Sequence, residues 1–407
     1  MRCLRSKIRM FAMKRWAAKW PRLFPWHMAI TVGIVLLGLE CTLTTQEFPV
    51  TQQETKSQVQ DDFPPANWHR TSGAPPGLHY VGRVVCAQCH MDVGETQAQT
   101  SMGRASTEAA ASDILAKHFS LSYTEGPYIL KIERKDGQEI YSASDGKHVE
   151  SVAIRWAFGR ADAGQTYIFE RDGIYYESRV SYYRDIDGLD LTIGHESEPR
   201  ASLSEELGRV LSEAAVYKCF PCHTSEGVLG GKLHFDLMRP GVTCENCHGP
   251  GSQHLEAIQN RDWNNLHIFN PAHLDPGDLN DFCGTCHRTT YDVLASKAHG
   301  ILNVRFQPYR LEHSRCYDPT DKRISCIACH DPHLNLVTDL ESYDSKCLAC
   351  HLHRGEKPTA MRHAPACLRT AKACAGCHMP RLTLPGSHFK FADHFIRVYK
   401  QGESYPD

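Results

Sequence analysis

"GVTCENCHGPGSQH" occupies residues 241–254. Two cysteines, Cys244 and Cys247, stand three positions apart, His248 follows at once, and His254 comes six residues later. Thiols at this spacing can hold zinc, form a redox disulfide, or add across the two vinyl groups of a haem. Only the last accounts for the adjacent histidine. With both sulfurs fixed to the porphyrin edge, His248 lies under the ring and its imidazole reaches the iron.

The pentapeptide occurs seven times in the chain. The cysteine pairs are Cys86 and Cys89, Cys219 and Cys222, Cys244 and Cys247, and Cys283 and Cys286, then Cys326 and Cys329, Cys347 and Cys350, and Cys374 and Cys377. The histidines that follow them are His90, His223, His248, His287, His330, His351 and His378. Structural zinc sites pair two such knuckles, or one knuckle with a separate pair of histidines, and do not require histidine after every second cysteine. A thioredoxin-like pair would occur once, near a βαβ pattern. The repeated pattern therefore predicts seven covalently bound haems, each with a proximal histidine.

Outside the motifs, the 407-residue chain has four of its 18 cysteines left: Cys3, Cys41, Cys316 and Cys367. Cys316 and Cys367 can stay apart or pair with each other in an oxidising compartment. Six motifs fall between Cys219 and His378, a spacing too short for separate protein cores. The expected fold is mostly irregular, with short α-helices around covalently bound haems that supply most of the buried apolar surface, plus a small antiparallel β insert. On that reading the apoprotein is largely unfolded. The formal charge of −2 gives no nucleic-acid signal.

The organisation follows from composition. The first 27 residues are basic, with no acid before Glu40, and lead into the apolar run Met28–Leu39. Residues 1–41 read as a signal peptide or membrane anchor, since the run is shorter than the ~20 residues that span a bilayer and no clear cleavage site follows. Either reading leaves the basic end in the cytoplasm and exports the haem region, to the periplasm or the outer face of the membrane. Residues 42–78, polar and proline-bearing, read as a linker, and 79–117 as a first haem segment. No motif occurs for 133 positions after Cys86, and there two Asp-Gly pairs sit between β-prone runs, the signature of hairpins. Residues 118–200 are read as the β-rich insert and 201–400 as the six-haem region.

Beyond the motifs, "YVGRVVCAQCH" with "TSMGRA", "NVRFQPYRLEHSRCY" and "CAGCHMPRLTLPGSHFKFADHF" resemble multihaem cytochromes c of the c-552/c-554 type. They are closest to exported bacterial members, often joined to tetratricopeptide repeats. The resemblance spans roughly residues 80–400. It implies electron transfer through closely packed haems, most with two axial ligands. It also implies sixth ligands: His254 and His333, each after a sharp turn that follows a motif, and His388 and His394 in "SHFKFADHF". His195 and His118 match more loosely. Where such cytochromes often carry a histidine, about twelve residues after the first motif, this chain has Met102, whose thioether would raise the potential of the first haem.

The leading functional expectation is an electron carrier between exported or membrane redox partner proteins. The alternative is a multihaem oxidoreductase acting on a small nitrogen or sulfur species at a haem with an open distal site; a third reading is a haem-bearing scaffold or sensor. Nitrite-reducing relatives mark their catalytic haem with lysine in place of the motif histidine, and all seven motifs here end in histidine.

Overall fold

Asp136 and Gly137, and again Asp172 and Gly173, adopt left-handed backbone conformations, with φ of 49°, 78°, 52° and 77°. Each pair closes a two-residue loop, between Lys135 and Gln138 and between Arg171 and Ile174. Positive φ at both loop positions matches the right-handed twist of the flanking strands, so the Asp-Gly pairs fix hairpin registers. The computed structural model that shows this describes residues 68–160, 163–229, 232–352, 372–400 and 402–406, with 367 and 369. The signal or anchor segment 1–41 and most of the 42–78 linker lie outside the described residues.

The hairpins belong to a nine-stranded antiparallel sheet. Its strands are β1 (Ser106–Glu108), β2 (Ser120–Glu125), β3 (Tyr128–Lys135), β4 (Gln138–Ser144), β5 (Val149–Phe158), β6 (Gln165–Arg171), β7 (Ile174–Tyr183), β8 (Gly188–Leu191) and β9 (Gly208–Val210). Strands β2 to β8 run in sequence order, while β1 pairs with β5 and β9 with β7. The end strands β2 and β8 approach each other, so the sheet is nearly a closed barrel.

A register shift at Arg155 turns the alternation of β5. Ile154 and Ala157 face one core, with Leu130, Ile132, Tyr141, Tyr167, Phe169 and Val180. Trp156 and Phe158 face the other side, where they meet Val216 and Phe220. Such bulges bend a strand and re-aim its side chains. Inside, Arg179 is fully buried and pairs with Glu125 of β2 and with Glu206 at 2.9 Å, which meets the cost of burying its charge.

This corrects the expected fold class. The sheet draws in short strands at 106–108 and 208–210, and it has its own protein core. Strands and helices of every length, short two-stranded ribbons and 3-10 turns included, together account for more than half of the described residues, so the fold is not mostly irregular. The sheet's core is built from protein side chains, because Leu, Ile, Tyr and Phe concentrate in the motif-free stretch. Among the described residues no helix is long and apolar enough to cross a membrane.

Candidate functional site

Each motif sits at a helical turn. The helices are Arg83–Cys86, Glu213–His223, Glu245–His248, Pro276–His287, Cys326–Cys329, Asp344–Leu348 and Cys374–His378. The motif histidine's N–H donates to the carbonyl of the first cysteine at 2.9 Å in His90, His248, His330 and His351. Positions i, i+3 and i+4 of such a turn share one face, so both sulfurs and the imidazole point the same way.

The ring nitrogens are already sorted. Nδ1–H of His223 donates to the Ala105 carbonyl at 3.0 Å, that of His248 to Phe269 at 2.7 Å, and that of His378 to Arg397 at 2.8 Å. His330 Nδ1 lies 3.5 Å from the Tyr343 hydroxyl, which itself donates to the Val337 carbonyl. Such bonds fix the tautomer and leave Nε2 for a metal. Burial lowers the pKa of His223, His248 and His330, and brings His287 to about 4, so these imidazoles stay neutral, the ligating form.

Two of the expected distal histidines face motif histidines. The rings of His248 and His333 have centres 6.1 Å apart and planes 12° apart; those of His330 and His394 are 6.2 Å and 49° apart. Two imidazoles sharing one iron through Nε2, with metal bonds of about 2 Å and ring radii of about 1.15 Å, have centres roughly 6.3 Å apart. His333 Nδ1 faces Asp331 at 3.2 Å and His394 Nδ1 the Ala392 carbonyl at 3.0 Å, again leaving Nε2 available. A cavity of about 280 Å³ opens on Cys329, His330, Ile327, Val337 and Tyr343. The donor chemistry fits haem.

The other candidates are placed differently. His254 Nδ1 donates to the Leu266 carbonyl at 2.7 Å. His118, His195 and His388 instead turn Nε2 to carboxylates of the sheet and its loops: Asp187 at 3.4 Å, Glu177 at 3.3 Å and Asp190 at 2.7 Å. Half-buried Met102 sits on a loop whose carbonyl takes the Val242 N–H at 2.9 Å, against the approach to Cys244. His313 is not among the ligands expected above, yet its Nδ1–H donates to the Tyr309 carbonyl at 2.7 Å, four residues back along a helix. The spacing from a helical carbonyl was its available signal.

The motifs touch one another. The thiols of Cys86 and Cys244, Cys222 and Cys286, Cys283 and Cys326, and Cys347 and Cys374 lie close enough to act on one another. Cys329 also lies close to Cys347. Arg70 links Cys247, whose Sγ is 3.3 Å away, to the carbonyl of Phe282 beside Cys283. The first motif thus meets the third, the third the fourth, and the fourth the second and fifth; the fifth, sixth and seventh follow in order.

Two residues inside the third motif hold part of this arrangement, and neither is legible as functional from the Cys-x-x-Cys-His pattern. Buried Glu245 accepts the N–H groups of Val81, Gly82 and Gly251, each at 2.8 Å, tying the entry of the first motif to the Gly-Pro-Gly turn. Asn246, also buried, donates to the carbonyls of Arg70 and Thr224 and accepts from Ser225 and the Thr243 N–H. The C-terminal segment is held by Arg310, fully buried, which donates to both oxygens of Asp393 at 2.9 and 3.1 Å.

Among the described residues, no three His, Cys, Asp or Glu side chains are arranged to hold a bare metal ion. A haem iron asks less of the protein, since the porphyrin supplies four of its ligands. No curated protein and no solved structure matches the chain. Residues 192–249, which carry the second and third motifs, match the family model described as cytochrome c554 and c-prime, and the match supports a cytochrome c with covalently bound haem.

Proposed function

We propose that the chain is a heptahaem c-type cytochrome that passes single electrons between redox partner proteins on the exported side of the membrane. The observation that carries this reading is the continuous contact of the motifs. A thioether sulfur is bonded to the edge of its porphyrin, so sulfurs in contact bring porphyrin edges within a few ångströms. Electron tunnelling falls steeply with distance, and edge contact is the arrangement that favours it.

In this reading the cysteines fix each haem, the seven motif histidines bind iron from one side, and the protein's remaining task is to fill the other. His333 and His394 are assigned as sixth ligands to the third and fifth haems on their ring separations from His248 and His330. His254, with Nε2 unengaged, keeps its candidacy for a neighbouring haem, as does Met102. The haem supplies the reversible one-electron chemistry; the protein orients the imidazoles, and burial keeps those of His223, His248, His287 and His330 neutral.

The test is stoichiometry with coordination. Pyridine haemochrome titration and intact mass should give seven acid-resistant haems per chain, and the reduced protein should bind little carbon monoxide. Two or fewer haems with zinc present would overturn the reading. Seven haems with one that binds carbon monoxide rapidly in the unmodified protein would favour the oxidoreductase.

A further inference from the structure

Arg70 stands where three motifs meet. Its side chain is buried, with the residue 7% exposed. One terminal nitrogen donates to Cys247 Sγ at 3.3 Å, the other to the carbonyl of Phe282, and the guanidinium lies 4.2 Å over the Phe282 ring. Its nearest electrostatic neighbours are Cys247, Cys286, Cys283 and Cys222, sulfurs of the third, fourth and second motifs. Its backbone is pinned by Asn246 Nδ2, which donates to the Arg70 carbonyl at 3.2 Å from inside the third motif.

Among the described residues the protein gives this charge no counter-ion. Nε has no hydrogen-bond partner, and among the described residues no carboxylate pairs with the guanidinium. The buried arginines elsewhere in the fold are matched: Arg179 by Glu125 and Glu206, Arg310 by Asp393. Once haem is attached the neighbouring thiols are thioethers, which carry no charge. Arginine cannot shed its proton, so a buried positive charge persists beside the edges of these haems.

We propose that Arg70 is the fixed cation that raises the reduction potentials of the haems on the third and fourth motifs. The inference rests on the haem reading above. Reduction takes one electron onto the iron and lowers the positive charge of that haem by one. A fixed cation in a low-dielectric interior therefore favours the ferrous state. The haem at the third motif, in direct contact, feels this most. Because the charge is buried, salt screens the effect little.

The experiment compares Arg70→Met and Arg70→Lys in the haem-loaded full chain by spectroelectrochemical titration, with low-temperature spin-state spectra of each. In Arg70→Met at least one haem should shift negative by a tenfold loss in its ferrous share at fixed potential, which is 59 mV for a one-electron couple. Arg70→Lys should restore most of that shift, raised salt should not abolish it, and both variants should remain low-spin. If Arg70→Met fails to load haem, Arg70→Gln, which keeps a donor for the Phe282 carbonyl, is read by the same criterion. Unchanged potentials in a charge-removing variant with full haem content overturn this inference alone. A parent protein without covalent haem overturns the proposed function and this inference together.

Discussion

Replacing Asp393 is expected to release His394, the proposed ligand of the fifth haem, without disturbing the barrel. The carboxylate is fully buried and accepts from Arg310 at 2.9 and 3.1 Å, from Arg397 at 2.7 Å and from the Phe395 N–H at 3.0 Å. It lies next in sequence to His394, whose carbonyl is held by Ser314 at 2.9 Å and whose ring faces His330. In Asp393→Ala the fully buried Arg310 keeps only the Pro406 carbonyl and the faces of Tyr405 and Phe395. Removing one partner of a buried pair costs about 3–5 kcal/mol. Asparagine retains one acceptor oxygen, so Asp393→Asn should fall near the lower figure.

A loss of about 3 kcal/mol reduces the docked-to-released ratio of this segment roughly a hundredfold. The barrel shares no residue with the clamp, so its circular dichroism should be unchanged. The assay is electron paramagnetic resonance for high-spin ferric haem, with carbon monoxide titration of the reduced protein to count opened irons. Asp393→Asn should show a high-spin fraction at one haem, and His394→Ala the full conversion of that same haem. Should His394→Ala convert one haem while both Asp393 variants stay low-spin, the clamp argument is refuted. Should His394→Ala leave every haem low-spin, the pairing with His330 is wrong.

His333→Ala should turn one further haem high-spin, and the double variant with His394→Ala should open two irons by carbon monoxide titration; a single opened iron would mean that the two histidines serve the same haem. Glu245→Gln must leave at least one of three backbone donors facing an amide N–H₂, and should cost about 1–3 kcal/mol in a urea titration, with no haem lost; stability equal to the parent would remove Glu245 from the joint between the first and third motifs. Phe220→Ala removes a fully buried ring that meets Phe158 at 4.8 Å and Phe235 at 5.5 Å, and thermal unfolding should report about 3–5 kcal/mol of lost stability.

What was legible in the sequence was what chemistry or backbone sterics fixes locally. Covalent attachment demands the spacing from Cys244 to His248, and left-handed φ demands residues such as Asp136-Gly137, so both could be read from adjacent letters. Strands β1 and β9 are three residues long and show no usable alternation, which hid the true extent of the sheet. Arg310 and Asp393 are separated by 83 positions, and nothing near either announces the other. Arg70 falls inside the stretch read as a linker, among residues whose polarity suggested solvent. From Trp68, which donates to the Tyr80 hydroxyl at 2.9 Å, that stretch is packed. The expectation that haems supply most of the buried apolar surface came from the close spacing of the last six motifs, and it does not carry over to the motif-free stretch. The motif-free stretch holds enough Tyr, Phe, Ile and Leu to close a core by itself.

The contact order of the motifs differs from their order along the chain, and the barrel accounts for the difference. Helix Glu213–His223 lays Val216 and Phe220 on the outer face of the sheet, against Trp156 and Phe158. His223 stacks on Phe158 at 5.5 Å, its carbonyl takes the Ser106 hydroxyl at 2.7 Å, and Ser106 belongs to β1. The second motif is therefore fixed to the sheet, and its free side carries Cys222 to Cys286. The first motif, anchored through Glu245, bypasses the second and meets the third. In the proposed conduit the path from first to seventh haem thus runs through the third to sixth, and the second haem is a side branch at the fourth. A branch held against a rigid barrel is a place where an electron can rest without lengthening the main path. Arg70 lies at that junction, where raising the potential of the third and fourth haems would draw electrons in from both ends and from the branch.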